Sequence, residues 1–182
     1  MILRATVILV TGLLLGSPGG REGGDRVGAP APELPLDAWL HSPPLKWKDL
    51  RGQVVLLRWW TDAGCPYCTT TAPSLRQLQE SYGERGLRVI GVFHPKPAGD
   101  RSVERARRAA ERFGFAFPIA LDPDWNTLRR WWLDGTPRQW TSVSFLVDKK
   151  GIIRYVHPGG EFRPGDRDYR EIEKTILRLL AD

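Results

Sequence analysis

Cys65 and Cys68 stand three apart in "RWWTDAGCPYCTTTAP" and are the only cysteines of the sequence. Two thiols at that spacing can exchange disulfides, hold a soft metal or close a short loop. Closing a loop between residues three apart gains little entropy. A chain of 182 residues with 41% hydrophobic residues and eight tryptophans builds a core without such a staple. The pair therefore reads as chemistry. A metal site would recruit His94, because two thiolates and an imidazole suit copper or zinc, but the sequence offers no evident fourth ligand.

Elements around the pair follow from periodicity. "QVVLLRWW" (53–60) is an apolar, β-rich run of strand length. After the cysteines, "APSLRQLQESYGERG" places Leu75, Leu78 and Tyr82 at helical spacing and stops at Gly83 and Gly86. "LRVIGVFH" is a second strand and completes a β-α-β unit. "SVERARRAAERFG" puts Val103, Ala106, Ala110 and Phe113 on one helical face, its arginines reading as a solvated surface. "FAFPIAL" is a further strand, and "DWNTLRRWWL" a short helix capped at Asp122 or Asp124. Trp131 and Trp132, adjacent on that helix, are not expected to face inward together. "PLKWKDLRG" reads as a short strand and turn leading into the domain. "SVSFLVDKKGIIRYVHP" is a hairpin about Asp148 to Gly151, and "YREIEKTILRLL" a closing amphipathic helix. The order predicts an α/β fold: a central mixed sheet flanked by helices on both faces, in a single domain.

Topology then brings distant residues together. A right-handed crossover sets Cys65 and His94 on the same sheet edge, and an antiparallel hairpin strand returns residues 140–143 there. Cys65 precedes a helix, where free N–H groups and the dipole favour a thiolate. It is the expected nucleophile, with Cys68, a turn inside, as the resolving thiol. Pro66 suits the first helical turn. Arg58 has two readings: a cation that tunes the Cys65 thiol, or a side chain on the other face paired with a carboxylate. His94 either donates to the thiolate or shuttles a proton, with an ordinary pKa near 6.5, or simply ends a strand. Trp60, Pro66, Tyr67, Trp140, Thr141 and Ser142 are the candidate substrate groove.

"MILRATVILVTGLLLGSPGG" carries Arg4, an apolar run from Ala5 to Leu15 and then small residues, the pattern of a signal peptide over 1–18. A short N-terminal anchor is the second choice, since the run is shorter than the roughly 20 residues a spanning helix needs. Residues 19–35 are rich in glycine and proline and read as a linker, leaving 36–182 as the folded domain. Export to a periplasmic or other extracytoplasmic compartment is expected, with membrane association through the N-terminal segment as the variant. The charge of +6 and pI near 9.7 do not imply nucleic acid, because the arginines are spread and interleaved with acids.

These pieces resemble the thioredoxin superfamily, in particular its exported TlpA/ResA-like, redoxin or AhpC/TSA-type branch. "GAPAPELPL" with "LRGQVVLLRWW", "CPYC" followed by Pro73, and "SFLVDKKGIIRYVHPG" carry the likeness, which extends over about Gly28 to Leu180. The resemblance implies a thioredoxin-like fold and thiol-disulfide exchange through Cys65-Pro66-Tyr67-Cys68. It implies no cofactor beyond that redox-active disulfide. Partners would be disulfide-bearing or dithiol proteins, with a membrane electron donor among the candidates. The central residues of "CPYC" match those of glutaredoxins and imply a pair less reducing than thioredoxin.

Four positions depart from the family pattern. Gly64 stands where tryptophan is usual and Thr71 where an acid is common. Arg58 lies at or near the place of a buried acid, and Ser142 falls where a cis-proline usually opens the strand. A peroxiredoxin-like thiol peroxidase is the rival enzyme, but its Pro-x-x-x-Thr-x-x-Cys pattern is replaced by Arg58 and Asp62. A binding domain with a vestigial pair is the remaining alternative.

Overall fold

Seven consecutive buried residues form the central strand β2 (Val54–Trp60), so its sequence shows no apolar-polar alternation. The computed structural model describes residues 22–182; the predicted signal segment 1–18 lies outside them. β2 runs parallel to β3 (Leu87–Phe93), with Val54 opposite Leu87 and Trp60 opposite Phe93. On its other side it pairs antiparallel with β5 (Ser144–Val147), Arg58 opposite Ser144. With β1 (Trp39–Leu40), β4 (Ile119–Leu121) and β6 (Ile153–His157), the described residues make a six-stranded mixed sheet in the order β1-β4-β3-β2-β5-β6. Parallel β2, β3 and β4 and the returning β5 give the expected single α/β domain.

One sheet face packs Leu56, Trp60, Val89 and Phe93 against α1 (Pro66–Tyr82), α2 (Val103–Phe113) and α4 (Arg167–Ala181). The opposite face packs Val55, Leu57, Trp59, Ile90 and Val92 against α3 (Asn126–Leu128) and its π-helical continuation Arg129–Leu133. Helix boundaries have visible chemical causes. Ser102 and Asp166 accept the Arg105 and Tyr169 N–H groups at the starts of α2 and α4, and Gly114 ends α2 at φ 67°. At α3 the capping carboxylate is buried Asp122, which accepts from Thr127 N and Leu128 N, whereas Asp124 pairs with Arg101. Among the described residues no helix is long and apolar enough to cross a membrane.

Three expectations need correction. Trp131 and Trp132 are both buried, because the wide π turn aims both rings at the sheet: each lies against Phe145, at 5.0 and 6.0 Å between centroids. "PLKWKDLRG" is not a strand but carries a 3₁₀ turn at Trp47–Leu50, closed by the Asp49 carboxylate accepting the Lys46 N–H. The proline-rich stretch is not wholly a linker. Gly28 N and Ala31 N donate to Ile153 O and Gly151 O, Ile153 N donates to Ala29 O, and Leu34 is buried. The backbone from 28 onward thus satisfies the outer side of the hairpin, and the folded unit begins upstream of 36.

Candidate active site

The turn before α1 is built to present a sulfur. Asp62 O accepts the Cys65 N–H at 3.1 Å and Asp62 Oδ1 accepts the Gly64 N–H at 3.1 Å. Cys65 is the N-cap, extended at φ −95° and ψ 108°, and its sulfur accepts the Cys68 N–H at 3.3 Å. Pro66 occupies the first helical turn, where a missing N–H costs nothing. One turn in, the Cys68 sulfur lies 2.7 Å from that of Cys65, and both thiols are free.

Burial divides the two sulfurs. Cys65 is partly exposed, whereas Cys68 is buried in the core with Leu56, Trp60 and Ala72. The Cys68 thiol hydrogen bond, joined by the Cys68 N–H, the Ser142 hydroxyl and the Lys96 charge, outweighs burial and lowers the Cys65 pKa to about 5. The same hydrogen bond and burial push the Cys68 thiol up, opposed by the Arg58 charge and the Thr61 N–H, which donates to its sulfur at 3.4 Å. At neutral pH the site therefore holds one proton between two sulfurs, with Cys65 as the thiolate.

Ser142 does arrive opposite the pair, its Oγ 3.9 Å from each sulfur. Thr141, Trp140, Gln139, Tyr67 and Lys96 complete a cleft of about 250 Å³ whose floor is Cys65. Trp140 and Tyr67, 49% and 36% exposed, meet edge to face at 5.5 Å between centroids. Gly159, at φ 137°, allows the close approach: a Cβ there would sit 2.5 Å from that of Trp140. Trp60 is not part of this cleft. Its ring is buried among Phe93, Phe113 and Phe115, over Gly91, where a Cβ would come within 2.6 Å of the indole nitrogen. Strand alternation decides this: Trp60 points inward with Leu56, beneath α1 and α2.

Arg58 takes neither the solvent-facing nor the carboxylate-paired place: its charge reaches the redox pair from within the core, Cys68 first and Cys65 second. It is fully buried and no carboxylate pairs with it among the described residues. Nη1 donates to Ser144 Oγ at 3.1 Å, Nη2 donates to Gly160 O at 2.8 Å, and the guanidinium lies 5.5 Å from the centre of the Phe162 ring. Burial lowers its pKa to about 10, against the opposing influence of Cys68 first and Cys65 second. Its charge acts chiefly on the buried thiol.

His94 is brought to the edge of the sheet, its N–H donating to Trp60 O at 2.9 Å, but its ring makes no hydrogen bond to either sulfur. The ring is buried edge-on to Trp125, 5.4 Å between centroids, and both nitrogens lack a partner among the described residues. Burial, with the Lys96 and Arg58 charges, lowers its pKa to about 3. A proton shuttle at neutral pH needs a ring that titrates there, and this one stays neutral. Among the described residues no three His, Cys, Asp or Glu side chains are grouped to hold a metal, so His94 does not complete a ligand set with Cys65 and Cys68.

Two contributions escaped the sequence. Arg105, read as a solvated helical arginine, instead binds the Asp62 carboxylate through Nε at 3.1 Å and through Nη2. It also holds Asp100 at 2.7 Å and Lys96 O at 3.0 Å. It thereby ties α2 to the turn that presents Cys65. The loop 160–162 supplies the acceptor and the ring for Arg58, with Phe162 N donating to Thr71 Oγ1 and Ser74 Oγ donating to Phe162 O. Nothing periodic marks either contact in the sequence.

Comparison with known proteins agrees with this architecture. The AhpC/TSA family matches residues 27–156. Protein DipZ of Mycobacterium bovis is 31% identical over 84% of this chain, which spans only 21% of that protein's length. Thiol-disulfide oxidoreductase ResA of Geobacillus kaustophilus is 31% identical over 73% of this chain and 70% of its own. A thiol-disulfide isomerase from Corynebacterium glutamicum superposes with a TM-score of 0.66 at 27% identity, covering 84% of this chain and 97% of its own. With the matched model spanning most of the domain and the cysteine pair at the strand-to-helix junction, the chain belongs to the AhpC/TSA family within the thioredoxin superfamily.

Proposed function

We propose that this domain is a thiol-disulfide oxidoreductase that exchanges disulfides with partner proteins outside the cytoplasm. The observation that carries the reading is the asymmetry of the pair: a low-pKa sulfur on the floor of an open aromatic cleft and a protonated, buried sulfur 2.7 Å behind it. In the reducing direction, the Cys65 thiolate attacks a partner disulfide, and one partner sulfur leaves as a thiolate. Cys68 then attacks Cys65, forming the internal disulfide and releasing the second partner sulfur. Trp140, Tyr67 and the backbone before Ser142 dock the partner chain. The resemblance of the N-terminus to a signal peptide supports export, where a disulfide-bearing protein is an available substrate. A membrane-bound electron donor would return the pair to the dithiol. Graded glutathione buffers, with free thiols counted by alkylation and mass spectrometry, test the reading. A reversible transition between about −120 and −270 mV is expected, whereas a bridge still closed below about −300 mV is a structural disulfide and ends it.

A further inference from the structure

Arg58 is a buried cation with neutral partners on the sheet face that, with Leu56, Trp60 and Phe162, packs beneath α1 and its buried Cys68 thiol, and the exchange reading above does not assign it a task. Its position is fixed from three sides. β2 carries it three residues before Thr61, whose N–H donates to the Cys68 sulfur. β5 offers Ser144 Oγ, and Phe162 beneath the guanidinium is bonded through its N–H to Thr71, one turn beyond Cys68 in α1. At or near the two places where the family pattern carries acids, this chain therefore holds a cation, Arg58, and a hydroxyl, Thr71. An acid there would serve as a proton acceptor for the resolving thiol. Without one, Cys68 has to lose its proton to solvent or to the departing sulfur.

We propose that Arg58 is a positioning residue for the second half of exchange, its buried charge stabilising the Cys68 thiolate as it attacks the mixed disulfide. In that step the Cys68 sulfur donates an electron pair to the Cys65 sulfur, the Cys65–partner bond breaks, and the partner sulfur leaves with the pair as a thiolate. The proton lost by Cys68 ends on solvent or on that sulfur. The partner is reduced by two electrons and the cysteine pair is oxidised. Other ionisable groups around the step are accounted for. Cys65 is in the mixed disulfide and carries no charge, and Lys96 acts on Cys65 from the cleft. His94 is held neutral, and His157, opposite Ser144 in the sheet, engages Asp168 at 3.2 Å. Asp62 is taken up by Arg105. Arg58 is then the cation left to favour the Cys68 anion.

The inference rests on the exchange reading, and one assay separates the two. Reduced full chain is mixed with dithiobis-nitrobenzoate, and release of the coloured thiolate is followed in time. The first release reports attack by Cys65 and the second reports resolution by Cys68. If the wild type gives no second release, the exchange reading fails. With two releases in the wild type, Arg58→Met is expected to leave the first within about threefold. The second should slow by about tenfold or more at pH 7, as expected when a nearby cation that favours the thiolate is removed. Its pH profile should move to higher pH, and Arg58→Lys should restore most of the rate. Equal second phases in Arg58→Met and wild type, with the same pH profile, overturn the proposal. Should Arg58→Met not fold, Cys65→Ser in the Arg58 background decides. The ultraviolet titration of Cys68 is expected at or below the range of an ordinary thiol despite its burial, and a midpoint well above that range overturns the proposal.

Discussion

Replacing Cys68 tests the electrostatics of the site most directly, because its thiol is the leading cause of the low Cys65 pKa. An ordinary cysteine near 8.5 is only a few per cent thiolate at pH 7, whereas one at about 5 is almost fully ionised there. Cys68→Ala removes the 2.7 Å hydrogen bond but leaves the Cys68 N–H, Ser142 and Lys96 contributions. The titration midpoint should rise by about one to two units, and Cys68→Ser, which keeps a donor, should rise less. Thiolate ultraviolet absorbance and the pH dependence of iodoacetamide alkylation both read it. The linkage has a definite sign. The folded pKa of Cys65 lies below its unfolded value, so ionisation stabilises the reduced fold fully above about 8.5 and the benefit is lost as pH falls through about 5. The disulfide form has no such term, so the extra folding stability that ionised Cys65 gives the reduced protein should shrink as pH falls toward 5. Above pH 5 the two-electron couple takes up one proton, and its potential should change by about 30 mV per pH unit in place of about 59. A wild-type midpoint near 8.5, or identical midpoints in wild type and Cys68→Ala, would refute this account.

Trp140→Ala removes the most exposed aromatic of the cleft and should slow reduction of a protein disulfide about tenfold, the scale of an aromatic contact residue. Turnover of the small reagent dithiobis-nitrobenzoate should stay within about twofold, which stopped-flow comparison of the two substrates checks. Arg105→Ala unties Asp62 from α2 and should cost about 1 kcal/mol, a fall of about 2–4 °C in Tm, together with slower first-phase release from Cys65. For His94, the buried ring with a pKa of about 3 predicts carbon resonances of a neutral imidazole throughout pH 5–8. Because its folded pKa lies below the unfolded value near 6.5, stability should decline as pH falls below 6.5, and denaturant titrations at pH 7 and 5 check it.

What was legible in the sequence was whatever local pattern controls. β2, α1, β3 and the β5–β6 hairpin follow from apolar runs bounded by glycine and capping residues, and the helix start at Cys65 follows from Pro66. The convergence of Cys65 with Ser142 followed from topology, since parallel β2 and β3 and antiparallel β5 end at one sheet edge. What pattern did not give was side-chain direction where the helical or strand period is interrupted. Trp131 and Trp132 share the interior because a π turn changes the angle between neighbours, a choice made by the tryptophan and phenylalanine rings they meet. Arg105 lies in an unremarkable charged helix, and only the position of Asp62 in space makes it part of the site. Arg58 could not be assigned from alternation alone, since its partners lie 86 and 102 residues away in sequence.

The arrangement resolves a conflict inherent in any two-thiol exchanger. The attacking sulfur must be an anion that a partner can reach, and the resolving sulfur must stay protonated until the first step is complete. Helix geometry sets both conditions with one bond. By capping α1, Cys65 collects the Cys68 N–H, and the Cys68 side chain one turn later donates its only proton to the same sulfur. That bond lowers one pKa at the expense of the other, so the thiols cannot both be nucleophiles at once. Once Cys65 is bound to a partner its charge is gone, and so is the largest influence holding the Cys68 proton. What then acts on Cys68 is burial, which opposes ionisation, and the Arg58 charge with the Thr61 N–H, which favour it. A buried acid would have to accept a proton to help at that moment. A buried cation has only to be in place.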